Sequence, residues 1–101
     1  MYLINTSFHA ERSVADAIME ELRSGLMSKM EASTLFTGLL MAEILVEVDP
    51  ECKSFTLQGM SGDLDKAVEW LHTEGASCLS ELHKRYGQKV VFFTTPMKII
   101  Q

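Results

Sequence analysis

The chain has 101 residues, 47% of them hydrophobic and 23% charged, with a formal net charge of -5. That is one domain's length, too apolar for a disordered chain and too acidic for a phosphate-binding surface, so nucleic acid is excluded as a partner. Two cysteines, Cys52 and Cys78, stand at no motif spacing, so neither a disulfide framework nor a metal ligand set is read, and no cofactor is expected.

Tyr2 to His9 alternates Tyr2, Ile4, Thr6 and Phe8 against Leu3, Asn5, Ser7 and His9, the pattern of a first strand. The start carries no basic leader segment, and the expected location is the cytoplasm. Ser13 suits a helix N-cap with Asp16 three residues on, and Val14, Ala15, Ile18, Met19 and Leu22 recur at helical spacing. Ser24-Gly25 is expected to end that helix, with a short further helical turn between Leu26 and Ala32.

The longest apolar run, Leu35 to Val48, reads as a long central strand. Phe36, Leu40, Ala42, Ile44, Val46 and Val48 fall on its dry face with Gly38. Leu35, Thr37, Leu39, Met41, Glu43, Leu45 and Glu47 fall on the half-dry one. With 14 residues and two glutamates the run is too short and too charged to span a bilayer, so no membrane partner is expected. A turn at Asp49–Cys52 leads into a hairpin partner, Lys53 to Met60, with Phe55 and Leu57 on the dry face. Asp63 is an N-cap for a second helix closed by Tyr86-Gly87, and Gly75 inside it marks a bend or close packing point, costing about 1 kcal/mol against alanine. Lys89 to Ile100 is a last strand, expected at a sheet edge or bulged at Pro96, which has no N–H to donate.

The order β-α-β-β-α-β is that of an α+β ferredoxin-like plait, a four-stranded antiparallel sheet with two helices on one face, as a single domain over residues 1–101. Leu35, Leu39, Met41, Leu45 and Met60 are then expected on the uncovered face, where a second copy would bury them in a homodimer. RNA recognition is set aside: Lys53 to Met60 matches the aromatic signature only at Lys53 and Phe55. Metal chaperones of this plait carry paired cysteines after strand one, where this chain has His9-Ala10-Glu11-Arg12.

The opening Tyr2-Leu3-Ile4-Asn5-Thr6-Ser7-Phe8, then Thr34-Leu35-Phe36-Thr37, then His83 to Phe93 together resemble a family of small uncharacterised proteins. These have the dimeric α/β-barrel form of the same plait. The resemblance covers essentially the whole chain and implies a fold and a dimer; as a domain of unknown function, the family brings no reaction with it. The chain departs from it at Leu26-Met27-Ser28, where a His-Ile-Pro-like segment is usual. Related barrels include cofactor-free monooxygenases, isomerases and haem-binding enzymes, which hold ligands between the sheet and a flanking element.

By that analogy Asn5 and His9 are the candidate catalytic residues, polarising a substrate and shuttling a proton. Ser7, Thr37, Gln58 and Trp70 are the candidate ligand contacts. His72 and His83 receive no role, His83 being most simply a partner for the helix C-terminus. The expected function is binding, or cofactor-independent oxidation or isomerisation, of a small partly apolar molecule beside the sheet. The alternative is a non-catalytic module whose sheet face binds another protein.

Overall fold

A computed structural model describes residues 1–46 and 49–101. Strand β1 (Tyr2–Glu11) runs directly into helix α1 (Arg12–Leu22), which passes through a π turn at Arg23–Met27 into α2 (Ser28–Ala32). Strands β2 (Thr37–Ile44) and β3 (Cys52–Ser61) form the hairpin. Helix α3 (Leu64–Trp70), a π turn at Leu71–Gly75, and α4 (Ala76–Tyr86) make the second rod before β4 (Val90–Lys98). The sheet is antiparallel in the order β2-β3-β1-β4, the ferredoxin-like plait.

The helix-facing side of the sheet follows the period-two reading of β1 and β3. Ile4, Phe8 and Ala10 of β1 and Phe55 and Leu57 of β3 are buried, with Phe8 stacked on Phe55 at 5.2 Å between ring centroids. The first rod buries Ala15, Ile18, Leu22, Leu26 and Met30 against them. The two rods are tied outside the core by the Arg85 guanidinium donating to the Glu21 carboxylate.

Three expectations are corrected. The Leu35–Val48 run is not the central strand: β2 is an edge, because the crossover places β1 between β3 and β4. Its last two residues, Glu47 and Val48, lie outside the described residues.

Its faces are also exchanged. Gly38 takes φ +62°, and the pairing with β3 shifts between Thr37 and Leu40, a bulge that turns over everything after it. Leu39 and Met41 therefore pack on the core, whereas Leu40 and Ile44 lie on the open face. Leu35 packs on the core as well, Leu45 is 85% exposed, and only Met60 keeps its expected place on the open face. Leu39 lies so close over Gly59 that a Cβ there would stand 2.7 Å from its Cδ2.

The third correction concerns the first helix. It starts at Arg12 without a side-chain cap from Ser13, and it does not stop at Ser24-Gly25. The Ser24 hydroxyl donates instead to the carbonyl of Glu20 at 3.0 Å, and Leu26 and Met30 continue the buried stripe past it. Burial of that stripe outweighs the local stop signal.

The remaining signals behave as read. Asp63 caps α3 by accepting the Lys66 N–H at 3.1 Å. Gly87 ends α4 at φ +56°, and Pro96 sits on edge strand β4.

Candidate functional site

Two recesses flank the sheet, one on each side. On the helix side a cleft of about 380 Å³ opens between the second rod and β4. Alternation in β4 sends Phe92, Thr94 and Pro96 toward it. Helical spacing supplies Val68 from α3 and Ala76 and Leu79 from α4. The π turn adds two consecutive residues, Leu71 and His72, to the same wall. Such turns recur at functional sites because the extra residue re-aims the side chains around it. The cleft's polar groups are few: the His72 imidazole, and the Thr94 hydroxyl, which hydrogen-bonds that of buried Thr6 at 2.9 Å.

On the other side lies the helix-free face. Cross-strand register sets Asn5 opposite Gln58 and Thr95, Ser7 opposite Thr56 and Phe93, and His9 opposite Ser54 and Val91. Leu40 and Ile44 of β2 complete two of these rows. The centre is thus a polar column, and both edge strands carry exposed apolar side chains, Phe93 at 65% and Val91 at 58% among them.

Asn5 Nδ2 donates to Ser7 Oγ at 3.0 Å, and His9 Nδ1 shares a 2.7 Å hydrogen bond with Ser54 Oγ. A shallow groove of about 320 Å³ runs over Ser7, His9 and Ser54 between Ile44 on one side and Val91 and Phe93 on the other. At its end, where the β2–β3 turn meets the sheet, stand Asp49 and Cys52. The Cys52 thiol donates to Asp49 Oδ2 at 3.7 Å, and its pKa is raised by desolvation first, then by the negative charges of Asp49, Glu11 and Glu51.

The predicted site residues therefore divide. Asn5, Ser7, His9, Thr37 and Gln58 share the open face, but only Ser7 and His9 border its groove. Trp70 is on the helix side, edge-to-face with Phe36 at 5.5 Å and clear of the cleft lining. It walls a separate surface hollow with Leu35, Lys66 and Thr73. One ligand in either recess cannot touch both Trp70 and His9. Local spacing does not group His72, Thr94 and Pro96, because the wall they build joins a helix and a strand more than twenty positions apart. The signal available in the sequence was the alternation Phe92, Thr94, Pro96 on an edge strand.

A sequence family described as a domain of unknown function (DUF4286) matches residues 1–100. The chain belongs to that family. No curated protein matches its sequence. Solved structures share the fold at low identity. A candidate antibiotic biosynthesis monooxygenase from Deinococcus radiodurans superposes with TM-score 0.76 at 15% identity, covering 100% of this chain and 94% of that one. An antibiotic biosynthesis monooxygenase gives 0.69 at 15% identity with both chains fully covered. A protein from Agrobacterium tumefaciens gives 0.62 at 12% identity, covering 100% of this chain and 95% of its own. At these identities the likeness is one of fold.

Proposed function

We propose that this protein binds a small, partly apolar molecule in the cleft between the α3–α4 rod and β4. The observation that carries the reading is the cleft itself. Its volume of about 380 Å³ is within the span of small-molecule sites, about 300–1,000 Å³, and its lining has their composition, apolar walls with a few polar groups. His72 is the one titratable side chain in that lining, and an imidazole can give or take a proton near neutral pH. Removal of a proton from a carbon acid is the step that cofactor-independent isomerisation and oxidation by molecular oxygen have in common. The names of the two monooxygenase structures agree with that class, and the likeness of fold leaves the reaction to be tested.

The test is saturable binding of an environment-sensitive apolar dye, anilinonaphthalene sulfonate, to the folded chain. Filling the cleft with Ala76→Phe is expected to weaken binding at least tenfold, and Phe93→Ser on the opposite face to leave it unchanged. The reverse pattern would move the ligand to the open face and refute the reading.

A second reading concerns that open face, favoured by the exposed apolar side chains on both edge strands. We propose that it is covered by a second copy of the chain. When two such sheets pack aligned, polar columns meet polar columns and apolar edges meet apolar edges, so the face is complementary to itself. Four strands about 4.8 Å apart and about 30 Å long give a footprint on the order of 500 Å². A stable pair buries about 800 Å² per partner, the same order. Light scattering over a concentration series checks this. Twice 11.3 kDa supports the homodimer, and a persistent monomer would hand the face to a different protein partner.

A further inference from the structure

Residues 49–52 lie beside the end of β1, where Pro50 and Glu51 accept from Arg12, and bring two donors three residues apart, Asp49 and Cys52, together with the distant His9. A ring nitrogen of His9, a carboxylate oxygen of Asp49 and Sγ of Cys52 all lie within 4.8 Å of one another. We propose that these three residues form a binding site for one divalent metal ion of the zinc class.

The donor set itself points to that class. An imidazole, a carboxylate and a thiol are the three side-chain ligands zinc accepts, and three protein ligands with one open position is a recurrent zinc arrangement. The geometry is close to what the ion needs. Cys52 Sγ and Asp49 Oδ2 are 3.7 Å apart. Bonds of about 2.3 Å to sulfur and about 2.0 Å to oxygen at a tetrahedral angle put those atoms about 3.5 Å apart.

The supporting shell is also present. Ser54 Oγ hydrogen-bonds His9 Nδ1 at 2.7 Å, the kind of contact that fixes a ligating imidazole and leaves Nε2 to the metal. Asp49 Oδ1 accepts the Glu51 N–H at 2.9 Å, which leaves Oδ2 turned to the thiol.

Nearby cations have other partners. Lys53 Nζ lies 3.3 Å from Asp16, and Arg12 Nε donates to the Pro50 carbonyl at 2.7 Å. The hollow enclosing the three donors is about 90 Å³, room for an ion and a water or two rather than an organic molecule. It adjoins the open-face groove, with which it shares His9, Ile44 and Ser54. A ligand in that groove with an anionic end could reach the fourth coordination position. The site lies within one chain and uses no residue of the helix-side cleft, so it stands apart from the small-molecule reading, while His9, Ile44 and Ser54 lie on the face that a second copy would cover.

Untagged, reduced protein is titrated with Co²⁺ while its absorption spectrum is followed, and Zn²⁺ is then added in competition. The expected result is one equivalent bound, with thiolate-to-cobalt charge transfer and tetrahedral d–d bands that Zn²⁺ displaces. Cys52→Ser removes the charge-transfer band and weakens binding at least tenfold, His9→Gln weakens it at least tenfold, and Cys78→Ser leaves it unchanged. Ser54→Ala, which only frees the ring, costs about tenfold. Absence of the charge-transfer band in the intact protein, its survival in Cys52→Ser, or full affinity in His9→Gln overturns the site. A second measurement needs no substitution: Zn²⁺ slows alkylation of Cys52 by iodoacetamide at least tenfold and leaves Cys78 unaffected. Equal protection of both thiols, or of neither, overturns the proposal.

Discussion

The two faces of this sheet are built from the same strands by alternate residues, and they have opposite characters. On the helix side Ile4, Phe8, Phe55 and Leu57 are almost wholly buried, and the Phe8 ring stacks on Phe55 and meets Phe92 at a tilt, joining three strands. On the other side β1 and β3 present Asn5, Ser7, His9, Ser54, Thr56 and Gln58, with apolar side chains confined mostly to the edge strands. One face holds the chain together; the other is available for association and chemistry. A substitution on the first should register in unfolding free energy, and one on the second in mass or binding.

The largest expected effect is therefore Phe8→Ala. It deletes a buried ring stacked on Phe55 and in tilted contact with Phe92, and such deletions cost about 3–5 kcal/mol. Chemical denaturation is the measurement. A loss below about 1 kcal/mol would mean that the helix-side face is not where the stability resides.

Next comes the bulge that decides which way β2 faces. Gly38 stands at φ +62°, and a Cβ there would lie 3.0 Å from the Met60 methyl carbon. Gly38→Ala is expected to cost about 1–2 kcal/mol, nearly all of it backbone, since the end of a methionine side chain can move. If denaturation finds the variant as stable as the parent, the bulge is not needed to carry Leu39 and Met41 to the core.

That bulge also explains how much could be read from the sequence. The element order, the faces of β1 and β3, the Asp63 cap and the edge position of Pro96 were all legible, because each depends on local pattern. The faces of β2 were not: period two carries across a regular strand but not across an inserted residue, and Gly38 alone does not announce where pairing shifts. The helix runs through Ser24-Gly25 against the local stop signal because burial of Leu26 and Met30, which local pattern does not show, overrides it. The open-face residues Asn5, Ser7 and His9 were visible as one side of a strand. The cleft around His72 and the grouping of His9 with Asp49 and Cys52 depend on tertiary placement that spacing does not encode.

Removing the cap of α3 should have a smaller effect. Asp63→Ala leaves the Lys66 N–H without its acceptor, for about 1 kcal/mol by denaturation. Phe93→Ser, on the open face, should change unfolding free energy by less than about 0.5 kcal/mol at a concentration where the chain is monomeric. The same substitution should shift the concentration series toward monomer. A destabilised monomer instead would place Phe93 in the core and erase the contrast between the faces.

The smallest expected effect is a pH dependence at the end of the open face. The Cys52 thiol has a pKa raised above its ordinary value, by desolvation and then by Asp49, Glu11 and Glu51. A raised folded-state value means that the native chain holds this proton more tightly than the unfolded chain does. The contribution is fully present below the unfolded pKa and is lost as pH rises through the folded one. Stability should therefore fall on the alkaline side of pH 9, and Cys52→Ser should flatten that fall while leaving neutral stability nearly unchanged. Cys78→Ser supplies the comparison at the other thiol. Denaturant midpoints across an alkaline pH series decide it: parallel curves for the parent and Cys52→Ser would mean that the acidic turn does not bear on the thiol. A fall in the parent that Cys52→Ser alone removes would place the effect at the open-face end of β3, where Asp49 meets the sheet.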